Sequence, residues 1–467
     1  FEQRHQQAGV SKVVVLLGLV IVVVAGYLSV GGKNIKKAAT LASMEVIGNI
    51  AMRSMPDDAA GGFHRIPIEV TELADGIYQA TGIANTHMIT TSEGNVLFDT
   101  GIAIQTAKQL RLLKEESDAP VTHIILSHSH ADHIGGTRYW KEEGTEVITH
   151  REFVEEQRYL KSLENYQWQR NRVLFPWMPE TPSSNALLAY GGVEPSILVD
   201  ERDYRFTQGG IEFIVLSTPG AEGADNICLW LPQKKILFTG DTLGPLFPQF
   251  PNVFTMRGEK IRKPMEYIHS LNKLIALEPE MIVPSHHTPI NGGDNIKAAL
   301  TRMRDAVQYV HDETIKGMNA GKSVYDLMKE IKLPPELALT EEHGKVSWAV
   351  KSIWEYYMGW FHFDSTTELY PVPAREVYAE VAAFAGSENL LAAAQNHFQE
   401  QQPEKSLHFL EMILAADPDH RAALETRLEI LQFMLERAIG DDGGNNYEKD
   451  YLRSRIAITE QALVSAE

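Results

Sequence analysis

Ser127-His128-Ser129-His130-Ala131-Asp132-His133, followed by Ile134-Gly135-Gly136, is the stretch around which this chain can be read. Four potential metal ligands, His128, His130, Asp132 and His133, fall within six residues. They come directly after Val121-Thr122-His123-Ile124-Ile125-Leu126, a β-branched apolar run that reads as a buried strand. A loop at the end of a strand can turn all four side chains into one pocket. Imidazole and carboxylate together suit zinc or a similar divalent ion. Taking four such groups out of water is costly unless a cation satisfies them, so an accidentally polar loop is a poor account of the cluster.

Further ligands are expected from other strand ends. Ile66 to about Asn291 reads as alternating short strands and helices. Gly76–Ala80, Thr86–Thr90 and Asn95–Gly101 are strand-like and close together, as in a meander, and Ala103–Glu116 has helical spacing at Ile104, Ala107, Leu110 and Leu113. Three strand tips then end in ligand types. Thr218-Pro219-Gly220-Ala221-Glu222 follows Ile211–Leu216, Thr239-Gly240-Asp241 follows Lys235–Phe238, and Pro284-Ser285-His286-His287 follows Met281–Val283.

With these tips, the H-x-H-x-D-H spacing resembles the signature of the metallo-β-lactamase superfamily. The resemblance implies an αβ/βα sandwich, in which two sheets face each other under outer helices. In most of that superfamily a histidine follows the Pro-Gly step, whereas here Ala221 and then Glu222 follow it. The alkylsulfatase branch is similar in placing a glutamate there and a second carboxylate 19 residues later, the separation of Glu222 and Asp241. That second carboxylate is a Glu in the branch and an Asp here. The resemblance implies two zinc ions. His128, His130 and Glu222 would hold one, Asp132, His133 and His286 the other, and Asp241 would bridge them. His287 fits a His-His-x-Pro pattern and is expected to orient His286; Asp99 is expected to support the ligand loop. Asn252–Gly258 resembles the alkylsulfatase segment whose arginine contacts sulfate. Asp132 and Arg257 are therefore the expected catalytic residues, with a surface arginine as the plainer reading of Arg257.

Between Glu152 and Gly192 the likeness thins. Tyr166, Trp168, Phe175 and Trp177 there either line a pocket for an alkyl chain or pack as core. From Thr301 the period becomes helical, with Met303, Val307, Val310 and Ile315 on one face. Gln308–Thr314, Ile331–Leu337 and Tyr357–Phe361, ending at Tyr370-Pro371-Val372-Pro373, resemble the alkylsulfatase dimerisation domain, which implies a homodimer. Gln399–Ala416 and Ala422–Glu436, around Asp417-Pro418-Asp419, look like a tetratricopeptide-type helix pair.

The bulk composition narrows the partners. Net charge is −19, which leaves no basic excess to meet nucleic-acid phosphates. The one cysteine, Cys228, forbids an intramolecular disulfide. Val13–Gly32 holds no charged residue and is about as long as a bilayer is thick. It reads as a membrane anchor or export signal, with the main domain on the periplasmic or other extracytoplasmic side. The expected organisation is an anchor or signal segment at 1–37, a tether at 38–65, a catalytic domain at 66–300 and a helical dimerisation domain at 301–467. The expected activity is di-zinc hydrolysis of a sulfate ester carrying an apolar group. The alternatives are hydrolysis of another ester, a lactone, a lactam or a phosphoester, or a non-enzymatic membrane-tethered assembly role.

Overall fold

The computed structural model describes residues 33–466 apart from 56–58, 176–177, 179, 181–192, 221, 254–255 and 441–443. The apolar stretch Val13–Gly32 lies outside the described residues. Among those described, no helix is long and apolar enough to cross a membrane.

Strands β1 (Val70–Ala74), β2 (Ile77–Ala80), β3 (Thr86–Thr91), β4 (Gly94–Phe98), β5 (Val121–Ile125), β6 (Glu146–His150) and β7 (Ile197–Val199) lie side by side in chain order. The first four form an antiparallel meander, and β4 to β7 run parallel. A second sheet holds β8 (Tyr204–Gln208), β9 (Ile211–Ser217), β10 (Ile227–Leu231), β11 (Ile236–Gly240), β12 (Met281–Pro284) and β13 (Ile290–Asn291), in the order β13-β12-β11-β10-β9-β8. Parallel neighbours cannot be joined by a tight turn. Helices accordingly fill each crossover: Ala103–Glu116 after β4, the short Ala131–Ile134 and Thr137–Trp140 after β5, Phe153–Ser162 and Glu164–Leu174 after β6, and Pro264–Ala276 after β11.

The two-residue period of a strand sorts the apolar side chains into three layers. Val96 and Phe98 of β4 and Ile227, Leu229 and Leu231 of β10 meet between the sheets, with Ile125, Phe238 and Val283. Their alternates face outward. Leu97, Ile124 and Val147 pack under Ala107, Leu110 and Leu113, while Trp230, Leu237 and Ile282 pack under Leu271 and Leu274. This is the expected αβ/βα sandwich. A fourth core, from Leu390, Ala394, Leu410, Ile413, Ala423 and Ile430, holds the C-terminal helices together. The expected helix pair there is Pro403–Ala416 and Arg421–Ile439, joined by Ser387–Gln399.

Two expected boundaries fall elsewhere. Residues 38–65 are not a loose tether: Lys33–Ser54 is a helix, its Met44 is buried in the core of the first sheet, and Ala59–Arg65 forms a 3-10 turn. Position 300 lies inside helix Gly293–Asn319, whose Ile296, Leu300 and Met303 share a core with Leu237 and Ile282 of the second sheet. That helix belongs to both halves of the chain, because one buried face cannot be divided at a sequence position.

Candidate metal centre

The sandwich brings the ends of β4, β5, β11 and β12 to one edge. Asp99 follows β4 in the left-handed region at φ 57°, a conformation that costs energy for a residue with a Cβ. Its carboxylate takes up the bend. Oδ1 accepts from the Ser127 backbone N–H at 2.7 Å; Oδ2 accepts from the Ser127 and Ser285 hydroxyls at 2.8 and 2.6 Å and from His133 Nδ1 at 2.9 Å. Fully buried Asp99 thus ties the β5 and β12 tips together, the supporting role expected of it.

Three of the four imidazoles share one logic. His133 gives Nδ1 to Asp99. His128 gives Nδ1 to Ser127 Oγ at 3.0 Å, because that hydroxyl spends its own proton on Asp99. His286 gives Nδ1 to the Ile83 carbonyl at 2.5 Å. Each keeps Nε2 for a common space. There His128 Nε2 and His130 Nδ1 come within 2.8 Å of each other. Asp241 Oδ2 lies 3.2 Å from His286 Nε2 and 3.4 Å from His133 Nε2, and Asp132 Oδ2 lies 3.4 Å from His133 Nε2 and 3.7 Å from His286 Nε2. Two sets of ligand atoms converge within 4.8 Å: His128, His133 and Asp241, and Asp132, His133 and His286.

These residues fit a divalent metal. His133 Nε2 and Asp241 Oδ1 are buried without a hydrogen-bond partner, and buried polar atoms are rarely left so. Burial, with His133 and His130 nearby, holds the His128 ring well below its ordinary pKa and keeps its lone pair free. Burial alone would raise the carboxyls of Asp132 and Asp241, but the neighbouring histidines outweigh it and hold both low, ready as anionic ligands. The mixed nitrogen and carboxylate donor set suits zinc.

Three expected residues sit differently from their expected roles, and His130 belongs to neither converging set although its Nδ1 faces His128. Glu222 Oε2 comes to 3.8 Å from His130 Nδ1, but Glu222 is outside both converging sets. Its two oxygens accept from Arg262 Nη1 and Nη2, both at 2.9 Å, because a buried guanidinium demands a paired carboxylate. Burial would raise the Glu222 carboxyl; Arg262, His343 and Arg257 hold it well below the usual range instead. Arg257 is also engaged. Its Nη2 lies 3.3 Å from Glu222 Oε2 and its Nε 3.1 Å from Glu259 Oε1, so it is neither a lone surface arginine nor an open anion hook. His287, expected to orient His286, packs its ring on Phe63 at 4.8 Å between centroids, and the Ile83 carbonyl is the group that faces His286 Nδ1.

Sequence reasoning missed four neighbours. Glu259 stands between the arginines and His130. Phe63 packs 5.2 Å from the His286 ring. His343 Nε2 lies 3.6 Å from Glu222 Oε1, and the Tyr447 ring lies 5.0 Å from the His343 ring and 5.9 Å from the Arg257 guanidinium. His343 arrives because the loop before helix Val346–Met358 pairs with 249–251, with Phe250 N–H donating to Thr340 O at 2.8 Å. The approach is close enough that a Cβ on Gly344 would meet Pro251 O at 2.1 Å. Gly344 was the legible signal for this contact; nothing in the local sequence marks His343 or Tyr447. Trp168 is buried, as the core reading of that stretch has it, and Trp177 lies outside the described residues.

Comparison with known proteins agrees with this geometry. The metallo-beta-lactamase superfamily profile matches residues 80–286, and the alkyl sulfatase dimerisation profile matches 323–448. A linear primary-alkylsulfatase from Pseudomonas sp. is 32% identical over 335 residues, covering 66% of this chain and 62% of its own length. An (R)-specific secondary-alkylsulfatase from Pseudomonas sp. is 25% identical over 404 residues, covering 79% of this chain and 60% of its own. The chain therefore spans about three fifths of the length of these curated relatives. The solved structure of the stereoselective inverting sec-alkylsulfatase Pisa1 from Pseudomonas sp. superposes with a TM-score of 0.73 at 20% identity, over 91% of this chain and 70% of that one, which speaks for the shared fold.

Proposed function

The chain joins a metallo-β-lactamase superfamily domain to an alkylsulfatase dimerisation domain, and from that premise we propose that it is a two-metal hydrolase of sulfate esters bearing an apolar group. One observation carries the metal half of this reading: His128, His133 and His286 each commit one ring nitrogen to a fixed partner and turn the other into a shared, nearly dry space with His130, Asp132 and Asp241. The sulfate half rests on the alkylsulfatase relatives.

In this reading His128 and His130 would hold one ion, Asp132, His133 and His286 would hold the other, and Asp241 is within reach of both sets; Glu222 would join His128 and His130 only by giving up part of its pairing with Arg262 and Arg257. When bound, two zinc ions supply a water that is hydroxide near neutral pH and a Lewis acid for the ester oxygen. The chain's own residues do the rest. Asp99 fixes the ligand loop. Asp132, the most exposed of the ligand carboxylates, borders the space where substrate meets the ions. Arg257 is the more exposed of the two guanidiniums, 20% against 2% for Arg262, and is the one placed to meet a sulfate. To do so it must release part of its pairing with Glu222 and Glu259. That balance of two arginines against two carboxylates favours a second reading, hydrolysis of an uncharged ester or lactone at the same ions.

The test is metal content with three substrates on one preparation: dodecyl sulfate, an aryl acetate and an aryl phosphoester. About two zincs per chain and sulfate release that falls roughly 10–100-fold in kcat/KM in Arg257→Ala are expected, the loss of one charge-assisted contact. Two zincs with acetate but no sulfate turnover would move the assignment to the second reading. No zinc uptake would end both. Membrane attachment or export is proposed from Val13–Gly32 alone, and cell fractionation with protease accessibility decides it.

A further inference from the structure

Three of the four candidate ligand imidazoles have an evident partner for the nitrogen turned away from the ions: Ser127 for His128, Asp99 for His133 and the Ile83 carbonyl for His286. The fourth, His130, turns Nδ1 toward His128 and leaves Nε2 on the outer side. Among the described residues, the group facing that outer nitrogen is Glu259, whose Oε1 lies 3.3 Å away. Neither side chain stands in open water; both are close to nine-tenths buried.

We propose that Glu259 is the positioning residue of His130, accepting its Nε2–H and so fixing the tautomer that presents Nδ1 to a metal ion. The inference rests on the metal-site reading above. An imidazole with an unfixed outer nitrogen can carry its proton on either atom, and only one tautomer has a lone pair on the inner side. A carboxylate on the outer nitrogen selects that tautomer, holds the ring plane and increases the basicity of the inner nitrogen.

Glu259 is itself firmly held. Arg257 Nε lies 3.1 Å from Oε1, and Arg262 Nη2 donates to Oε2 at 2.7 Å. Glu259 Oε1 is thus shared between His130 and Arg257. Drawing Arg257 toward a bound anion moves a positive charge away from the same oxygen that faces His130, so anion binding and the firmness of the His130 site are coupled through one carboxylate. Residue 259 follows Arg257 by two positions and precedes Arg262 by three, which lets one short segment carry both cations and the carboxylate between them.

The experiment is a zinc titration of the metal-free full chain against a chromophoric chelator, for wild type, Glu259→Gln and Glu259→Ala. The ring-nitrogen NMR shifts of His130 are read in each metal-free protein. For wild type, two binding steps and an Nε2–H tautomer at His130 are expected. Glu259→Ala should weaken one step about 10–100-fold and leave the other within a few-fold, with His130 shifting to a mixture of tautomers. Glu259→Gln, which keeps an acceptor oxygen of the same reach, should recover most of that loss. If Glu259→Ala fails to fold, the Gln variant still reports, since its His130 must keep the Nε2–H form while its weaker step shifts by a few-fold. Unchanged affinities and tautomer in the Ala variant would overturn the inference, and so would loss of the Nε2–H form in the Gln variant. So would an equal loss at both steps, the mark of a general structural effect. Absence of zinc binding by wild type would instead remove the metal-site reading on which the inference stands.

Discussion

His87 shows how a single buried side chain outside the candidate ligand set can set a pH dependence. It is fully buried between Phe98 and Phe238, with Nε2 at 3.2 Å from Gln79 Oε1. Burial lowers its pKa from 6.5 to about 4. Between those values the unfolded chain binds a proton that the folded chain refuses. The stability contributed by the neutral ring is therefore complete above about pH 6.5 and is lost as pH falls toward 4. Between pH 7.5 and 5 this amounts to about 2 kcal/mol. Urea unfolding at those two values should show His87→Gln losing about 2 kcal/mol less than wild type on acidification; parallel losses would show that the ring is not the source. At this scale the sequence spoke clearly for one class of residue. His128, His130, Asp132 and His133 sit in one loop, so their spacing is visible, and Asp241 and His286 end apolar strands. The groups around Glu222 were not visible in the same way. Glu222 reads as a ligand type from its position alone, and only three-dimensional packing reveals that Arg262 and Arg257 claim its oxygens. His343 and Tyr447 are brought in by contacts between distant segments, which leave no local pattern.

At the scale of elements, the strands were legible because each buried one alternates its faces between two cores, as Val96, Leu97 and Phe98 do. The helix Lys33–Ser54 was not. Its many small residues read as a tether, yet smallness is what lets it lie close. Gly48 sits where a Cβ would come within 1.9 Å of the Ile104 carbonyl oxygen, at the start of helix Ala103–Glu116. Gly48→Ala should force the two helices apart and cost about 1–3 kcal/mol, as overpacking does. Thermal unfolding should detect it, and limited proteolysis should cut the 33–54 helix sooner than in wild type. Equal melting and equal cleavage would mean that the helix is not docked there. The 3-10 turn Ala59–Arg65 carries Phe63 onto His286 and His287, so a stretch that reads as a tether in sequence borders the candidate metal centre.

For the whole molecule, several large apolar side chains between positions 360 and 384 of the helical half are exposed. The Phe361 ring packs at a tilt against both Trp360 and Phe363, and Trp360, Phe363, Tyr370 and Phe384 are exposed, the last at 94%. Surfaces of this kind mark association sites. They lie within the matched dimerisation segment, and a homodimer is the proposed occupant. Light scattering during gel filtration should give twice the chain mass for wild type and the chain mass for Trp360→Asp combined with Phe384→Asp, with the helical content kept. A variant that stays dimeric would move the interface elsewhere. A consequence for modularity follows from the 340–344 loop. The candidate ligands all come from the sandwich, but His343 and Tyr447, which wall the Glu222–Arg257 cluster, come from the helical half. Chimaeras that exchange helical halves between relatives should therefore inherit their metal chemistry from one parent and part of their substrate preference from the other.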